Sequence, residues 1–225
     1  MIKLNIDIVL CIDISWSMSG ILETVKDNVL KLYPDLMDRM EKWGKCVDKF
    51  RVKVIAFRDF ETARENTFEI LDFVDLPDNE TKFHRFVKAL EPQGNKQGAV
   101  NGLEALALAM DSEWTTSGDK RRHVIIIYSN APTHSLEETS AYKPEGMPAN
   151  IDELMCWWHG WLGQNKMDQS ANRLILFAPD AASWAEIGEN WEHTILVPSK
   201  ACIGLDNDIY KEILDEGIVL SWRLE

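Results

Sequence analysis

Asp13, Ser15 and Ser17 place one carboxylate and two hydroxyls within five residues, directly after the apolar run Ile6-Asp7-Ile8-Val9-Leu10-Cys11-Ile12. Oxygen donors of this kind suit a hard divalent cation such as Mg²⁺ or Mn²⁺. Other chemistries have less support. The five histidines, at 84, 123, 134, 159 and 193, show no zinc-ligand spacing. There is no G-x-S-x-G and no phosphate-binding loop. Ser135 and Ser199 have no acid or base near them in sequence. Asp59, which follows the run Arg51–Phe57, reads as a turn residue paired with Arg58, with a place near the ligand rim as its functional alternative. His134, close after Asn130, reads as a loop or capping residue, with cleft lining as the alternative.

Positioning these groups requires strands that end where the polar residues begin. Val124-Ile125-Ile126-Ile127-Tyr128 is apolar throughout and Ile6–Ile12 is apolar apart from Asp7, as expected of strands buried on both faces. Arg51–Phe57, Leu174–Phe177 and Thr194–Val197 read as further strands, and Thr67–Phe73 as an antiparallel edge. Helical spacing marks Ile21–Met40, where Pro34 should kink or split the helix. Further helices are expected at Thr81–Leu90, Gly98–Trp114, Ile151–Leu162, Ser183–Asn190 and Ile209–Leu214, with a proline-bearing loop over 131–149. Strands alternating with helices imply a mostly parallel sheet covered on both faces. In such sheets ligands bind beyond the carboxyl ends of the strands, where the strand order reverses. Asp13–Ser17 and Ser129-Asn130 both fall on that rim.

The 225 residues, 45% of them hydrophobic, suffice for one sizeable core. A net charge of −13 argues against nucleic acid or anionic lipid as the partner. No stretch approaches the length of a membrane span, and the first apolar run is short and contains Asp7, unlike a signal peptide. The four cysteines, Cys11, Cys46, Cys156 and Cys202, are widely spaced and form no C-x-x-C pair, so a reducing cytoplasm is expected. The segment Cys156-Trp157-Trp158-His159-Gly160-Trp161 is unusually aromatic. On a continuous helix Trp157 and Trp161 share a face while Trp158 is turned by about 100°. Core packing accounts for most of these rings, and Trp158 is the one expected to anchor a partner.

Asp13-Ile14-Ser15-Trp16-Ser17 resembles the first loop of the metal-ion-dependent adhesion site (MIDAS) of von Willebrand factor type A (VWA) domains. Phe57-Arg58-Asp59, Gly102-Leu103-Glu104-Ala105-Leu106, Ala131-Pro132-Thr133-His134, Phe177-Ala178-Pro179-Asp180 and Val197-Pro198-Ser199-Lys200 look, in that order, like stretches of a bacterial VWA family. The resemblance implies a single domain over residues 1–225 with a Rossmann-like three-layer α/β fold. Its sheet would be mostly parallel with one antiparallel edge strand. It also implies a metal site of three loops, and here the loops depart from the pattern. The second, Gly94-Asn95-Lys96-Gln97-Gly98, offers Gln97 or Asn95 where the family usually has Thr or Asp. The third offers Asn130 in place of Asp, and Trp16 stands where Gly is common. One carboxylate offsets little of the dehydration cost of Mg²⁺.

The expectation is therefore a non-catalytic, cytoplasmic adaptor or scaffold with a weak or absent Mg²⁺ or Mn²⁺ site at Asp13, Ser15, Ser17, Gln97 and Asn130. Its partner would be a protein, either a second VWA protein or a component of a multi-protein system, met by Trp16, Asp59, His134 and Trp158. Two alternatives remain: a partner carboxylate that completes a working cation site, and a metal-assisted hydrolase recruiting Asp59 and His134.

Overall fold

The computed structural model describes residues 3–63, 66–94, 98–139, 145–162, 165–198, 201 and 207–219. Six strands build one sheet: β1 (Leu4–Asp13), β2 (Val47–Phe57), β3 (Phe68–Leu76), β4 (Lys120–Tyr128), β5 (Asn172–Ala178) and β6 (Thr194–Pro198). Their order across the sheet is β3-β2-β1-β4-β5-β6. All neighbours run parallel except β2 and β3. The chain thus moves outward from β1 to β3, then returns to the other side of β1 with β4. The reversal opens a crevice between the carboxyl ends of β1 and β4, where the sequence places Asp13 and Asn130.

Alternation along β1 assigns its side chains to two cores. Ile6, Ile8, Leu10 and Ile12 face α1 (Leu22–Lys42), α3 (Glu80–Ala89) and α7 (Asn207–Leu214). Val9 and Cys11 face α4 (Gly102–Met110), α5 (Ile151–Trp158) and α6 (Ala182–Asn190). The result is a three-layer, Rossmann-like α/β architecture. A four-residue helix, α2 (Phe60–Ala63), follows β2. Among the described residues no helix is long and apolar enough to cross a membrane.

The elements differ from the sequence expectation in instructive ways. Helix α1 runs unbroken through Pro34. That ring lies on the solvent face, where water can satisfy the carbonyl it frees, while Val25, Val29, Leu32, Leu36 and Met40 bury the opposite stripe. Helix α4 begins at Gly102 rather than Gly98, because the chain first bridges Val100 to Thr133. Helix α5 stops at Trp158, short of Leu162. Strands β2 and β4 start three or more residues earlier than expected, at Val47 and Lys120. Their polar beginnings are paired by backbone register, which apolar patterning does not reveal.

Candidate functional site

Asp13 ends β1 fully buried. Its Oδ1 accepts from the Ser15 amide at 2.8 Å and its Oδ2 from the Ser129 hydroxyl at 2.8 Å. Burial raises the Asp13 pKa, and hydrogen bonds from Ser15, Ser129 and the Asn130 amide offset part of that rise. The carboxylate therefore ties the loop after β1 to the loop after β4. Above it runs a second set of bonds. The Ser15 and Ser17 hydroxyls lie 2.8 Å apart, and Ser17 donates to Asn130 Oδ1 at 2.7 Å. Because the Ser17 hydrogen is committed to Asn130, Ser15 is the donor between the two serines. Asn130 Nδ2 returns a bond to the Ser17 carbonyl at 2.8 Å. Beside this chain the Trp16 ring is 41% exposed.

Four of the five expected ligand residues thus converge. Gln97, with Asn95 and Lys96, lies outside the described residues, as do Ser199, Cys202 and Trp222. The described part of the donor set suits a divalent cation poorly. Asp13, Ser15, Ser17 and Asn130 supply one carboxylate, whose two oxygens already accept hydrogen bonds, and hydroxyl and amide groups that bond one another. No group of three His, Cys, Asp or Glu side chains able to hold a metal occurs among the described residues.

The same rim carries a second cluster. Asp59 pairs with His134, Nε2 to Oδ1 at 3.2 Å, rather than with Arg58. Arg58 instead turns to Glu69 and Gln93. His134, in the loop after β4, thus ties that loop to the turn after β2. Asn101 fastens this corner to α4 by accepting from the Phe60 amide at 2.7 Å. Glu104, in the first turn of α4, is buried with no close hydrogen-bond partner for either carboxylate oxygen among the described residues. Burial raises its pKa, while Thr139, its own amide, Asn101 and the charge of His134 pull it back. The other ring nitrogen of His134 faces Glu138 at 3.9 Å. Among the described residues no hydroxyl or thiol hydrogen-bonds to that ring.

Thr133 and Trp184 brace these loops. The Thr133 hydroxyl accepts from the Gly102 and Leu103 amides at 3.1 and 3.2 Å, capping α4 from a distant segment. Trp184 is buried against Gly102 and donates to the Ala131 carbonyl at 3.1 Å. Sequence reasoning placed Ser129 on the rim, as the first polar residue after an apolar strand, but gave it no bond to Asp13, and it missed Thr133 and Glu104 as parts of the rim.

Of the aromatic cluster, Trp158 is buried at 1% exposure. It stacks on Trp191 and donates from Nε1 to the Glu192 carbonyl at 2.8 Å, so its ring cannot meet a partner. The exposed ring is Trp161, at 67%, and it lies past the end of α5.

No protein-family model matches the chain, and no curated protein matches it. Solved structures do. A conserved hypothetical protein, BatB, from Bacteroides thetaiotaomicron is 14% identical over 94% of this chain and 96% of that one, with a TM-score of 0.48. A pilus adhesin, SpaC from Lactobacillus rhamnosus GG in an open conformation, is 16% identical over 60% of this chain, with a TM-score of 0.45. This chain spans 16% of the adhesin. At such identities and scores neither likeness assigns a role.

Proposed function

We propose that the chain is a VWA-like protein-interaction module that docks a protein partner at the carboxyl-terminal rim of its sheet by direct polar contacts. The observation that carries this reading is the Ser15–Ser17–Asn130 chain of hydrogen bonds beside the exposed Trp16, at the strand-order reversal. The ordered sequence phrases that look like a bacterial VWA family support the same reading. An exposed Trp beside a fixed polar frame suits an interface anchor. The poor fit of the donor set favours recognition without a shared cation. In this reading the module serves as a cytoplasmic adaptor within a multi-protein system, with no catalytic step of its own.

The test is quantitative affinity capture with the tagged full chain, comparing wild type with Trp16→Ala, Ser17→Ala and Asn130→Ala, each with and without EDTA. The expected outcome is a prey recovered at least ten-fold less by all three variants and unaffected by EDTA. Prey lost on EDTA treatment would replace this reading with a cation completed by the partner's carboxylate. Prey retained by all three variants would remove the rim from recognition.

A further inference from the structure

At the opposite, amino-terminal rim a cavity of about 400 Å³ opens between the end of α5, the turn before β5 and the α6–β6 turn. That volume lies within the usual range for small-molecule sites, about 300–1,000 Å³. One wall is aromatic. Trp161, the most exposed large apolar side chain described, stacks on the His159 ring with centroids 4.7 Å apart and planes 20° from parallel. Planar polar side chains from two further segments complete the lining: Gln169 from one, and Asn190, Glu192 and His193 from the other.

The far wall is built under strain. His193 adopts φ 58°, a left-handed conformation that costs a non-glycine residue energy and collects at ligand sites. Two bonds hold it there. Its carbonyl accepts from the Leu174 amide at 3.0 Å, and its Nδ1 lies 2.9 Å from Asn172 Oδ1. Asn172 Nδ2 donates to the Trp158 carbonyl at 3.2 Å, which fixes the amide orientation. Nδ1 of His193 must therefore carry the proton, leaving Nε2 as an acceptor. Asn190 donates one amide hydrogen to the Glu186 carbonyl at 2.9 Å and keeps its oxygen as an acceptor.

We propose that this cavity binds one neutral sugar ring, its C–H face stacked on Trp161 and its hydroxyls shared among Gln169, Asn190, Glu192 and His193. Hydroxyls surround a sugar on every side, matching polar groups contributed by two separate segments, whereas a nucleobase presents its polar atoms along an edge. Anionic ligands are opposed by Glu192 and the net charge of −13. Cationic ones are opposed by Arg173 and Arg122, whose charges, after burial, help hold the His193 pKa below its ordinary 6.5. This site is independent of the rim around Asp13.

The test uses the full chain in saturation-transfer NMR and tryptophan-fluorescence titrations. Glucose, galactose, mannose, N-acetylglucosamine, maltose, cellobiose and chitobiose are each taken to about 50 mM, far above a 1 mM Kd. Adenosine and sialyllactose serve as flat and anionic comparators. The expected result is saturable binding of at least one neutral sugar, weakened ten-fold or more by Trp161→Ala and less by Trp161→Phe. Trp16→Ala should leave it unchanged. Any of three results would overturn the proposal: no neutral sugar saturates, a comparator binds in place of the sugars, or sugar binding ignores Trp161→Ala. A protein prey lost in Trp161→Ala, without sugar binding, would reassign the ring as a docking anchor.

Discussion

Asp13 is the residue on which the rim depends, and it acts inward. Replacing it with Ala strands the Ser15 amide and removes the nearer acceptor of the Ser129 hydroxyl, leaving it the Ala131 carbonyl at 3.3 Å, in a buried setting. Relief of the carboxylate's own burial offsets part of that loss, so Asp13→Ala should cost about 1–3 kcal/mol in urea unfolding. Titration calorimetry with Mg²⁺ and Mn²⁺ should give no heat for the wild type. Binding should appear in the double variant Gln97→Asp/Asn130→Asp, which adds the missing negative charge. Heat in the wild type that Asp13→Ala removes would show that the hydroxyl and amide groups reorganise around a cation. Asp13, Ser15, Ser17 and Asn130 were legible in the sequence because each lies just past a strand whose apolar run announces its own end. The pairing of Asp59 with His134 was not, since 75 residues separate them and only the fold brings them together. Trp158 and Trp161 exchanged roles for a similar reason. The expectation extended the helix to Leu162, but α5 ends at Trp158, so helical spacing does not govern Trp161.

At the scale of the element, α4 shows how tightly the loops are held. A Cβ on Gly102 would lie 2.5 and 2.6 Å from two ring carbons of Trp184. Gly102→Ala should therefore destabilise the chain by about 1–3 kcal/mol, read as a lowered Tm. Strand β4 carries a different constraint. His123 is buried, its Nε2 donates to the Thr115 carbonyl at 3.0 Å, and its Nδ1 accepts from the Asp168 amide at 3.1 Å. Burial holds its pKa below the ordinary 6.5. The unfolded chain therefore binds more protons at this site than the folded one as pH falls below 6.5, and the His123 contribution to stability falls with it. Asp13 and Glu104, with raised pKa values, act in the opposite direction. The readout is thus a difference: between pH 7.5 and 5.5, His123→Gln should lose less unfolding stability than the wild type. An equal loss would mean that His123 titrates normally. Neither constraint was visible beforehand, because each depends on what packs against the residue. Even Pro34, the clearest local signal in α1, was overridden by the buried stripe on the other side of the helix.

The molecule as a whole was the most legible level. The apolar runs at Ile6–Ile12, broken only by Asp7, and at Val124–Tyr128 read as central parallel strands, and they lie side by side in the sheet. The reversal of strand order between them followed from the same reading. Less legible were the lengths of β2 and β4, since backbone pairing carries strands past the point where side-chain pattern fades. One further consequence follows from the bonds that Asp13 makes to both neighbouring loops. Ser15 and Ser129 are already joined through its carboxylate, and Ser17 and Asn130 exchange two bonds of their own. Few torsions at this rim are left to fix, so the ordering cost of about 0.5–1.5 kcal/mol per immobilised side chain falls mainly on the other molecule. In stopped-flow mixing the observed rate of association should rise linearly with the concentration of a folded partner. A rate that levels off would reveal a slow rearrangement before capture, the kinetic mark of a rim that must first open.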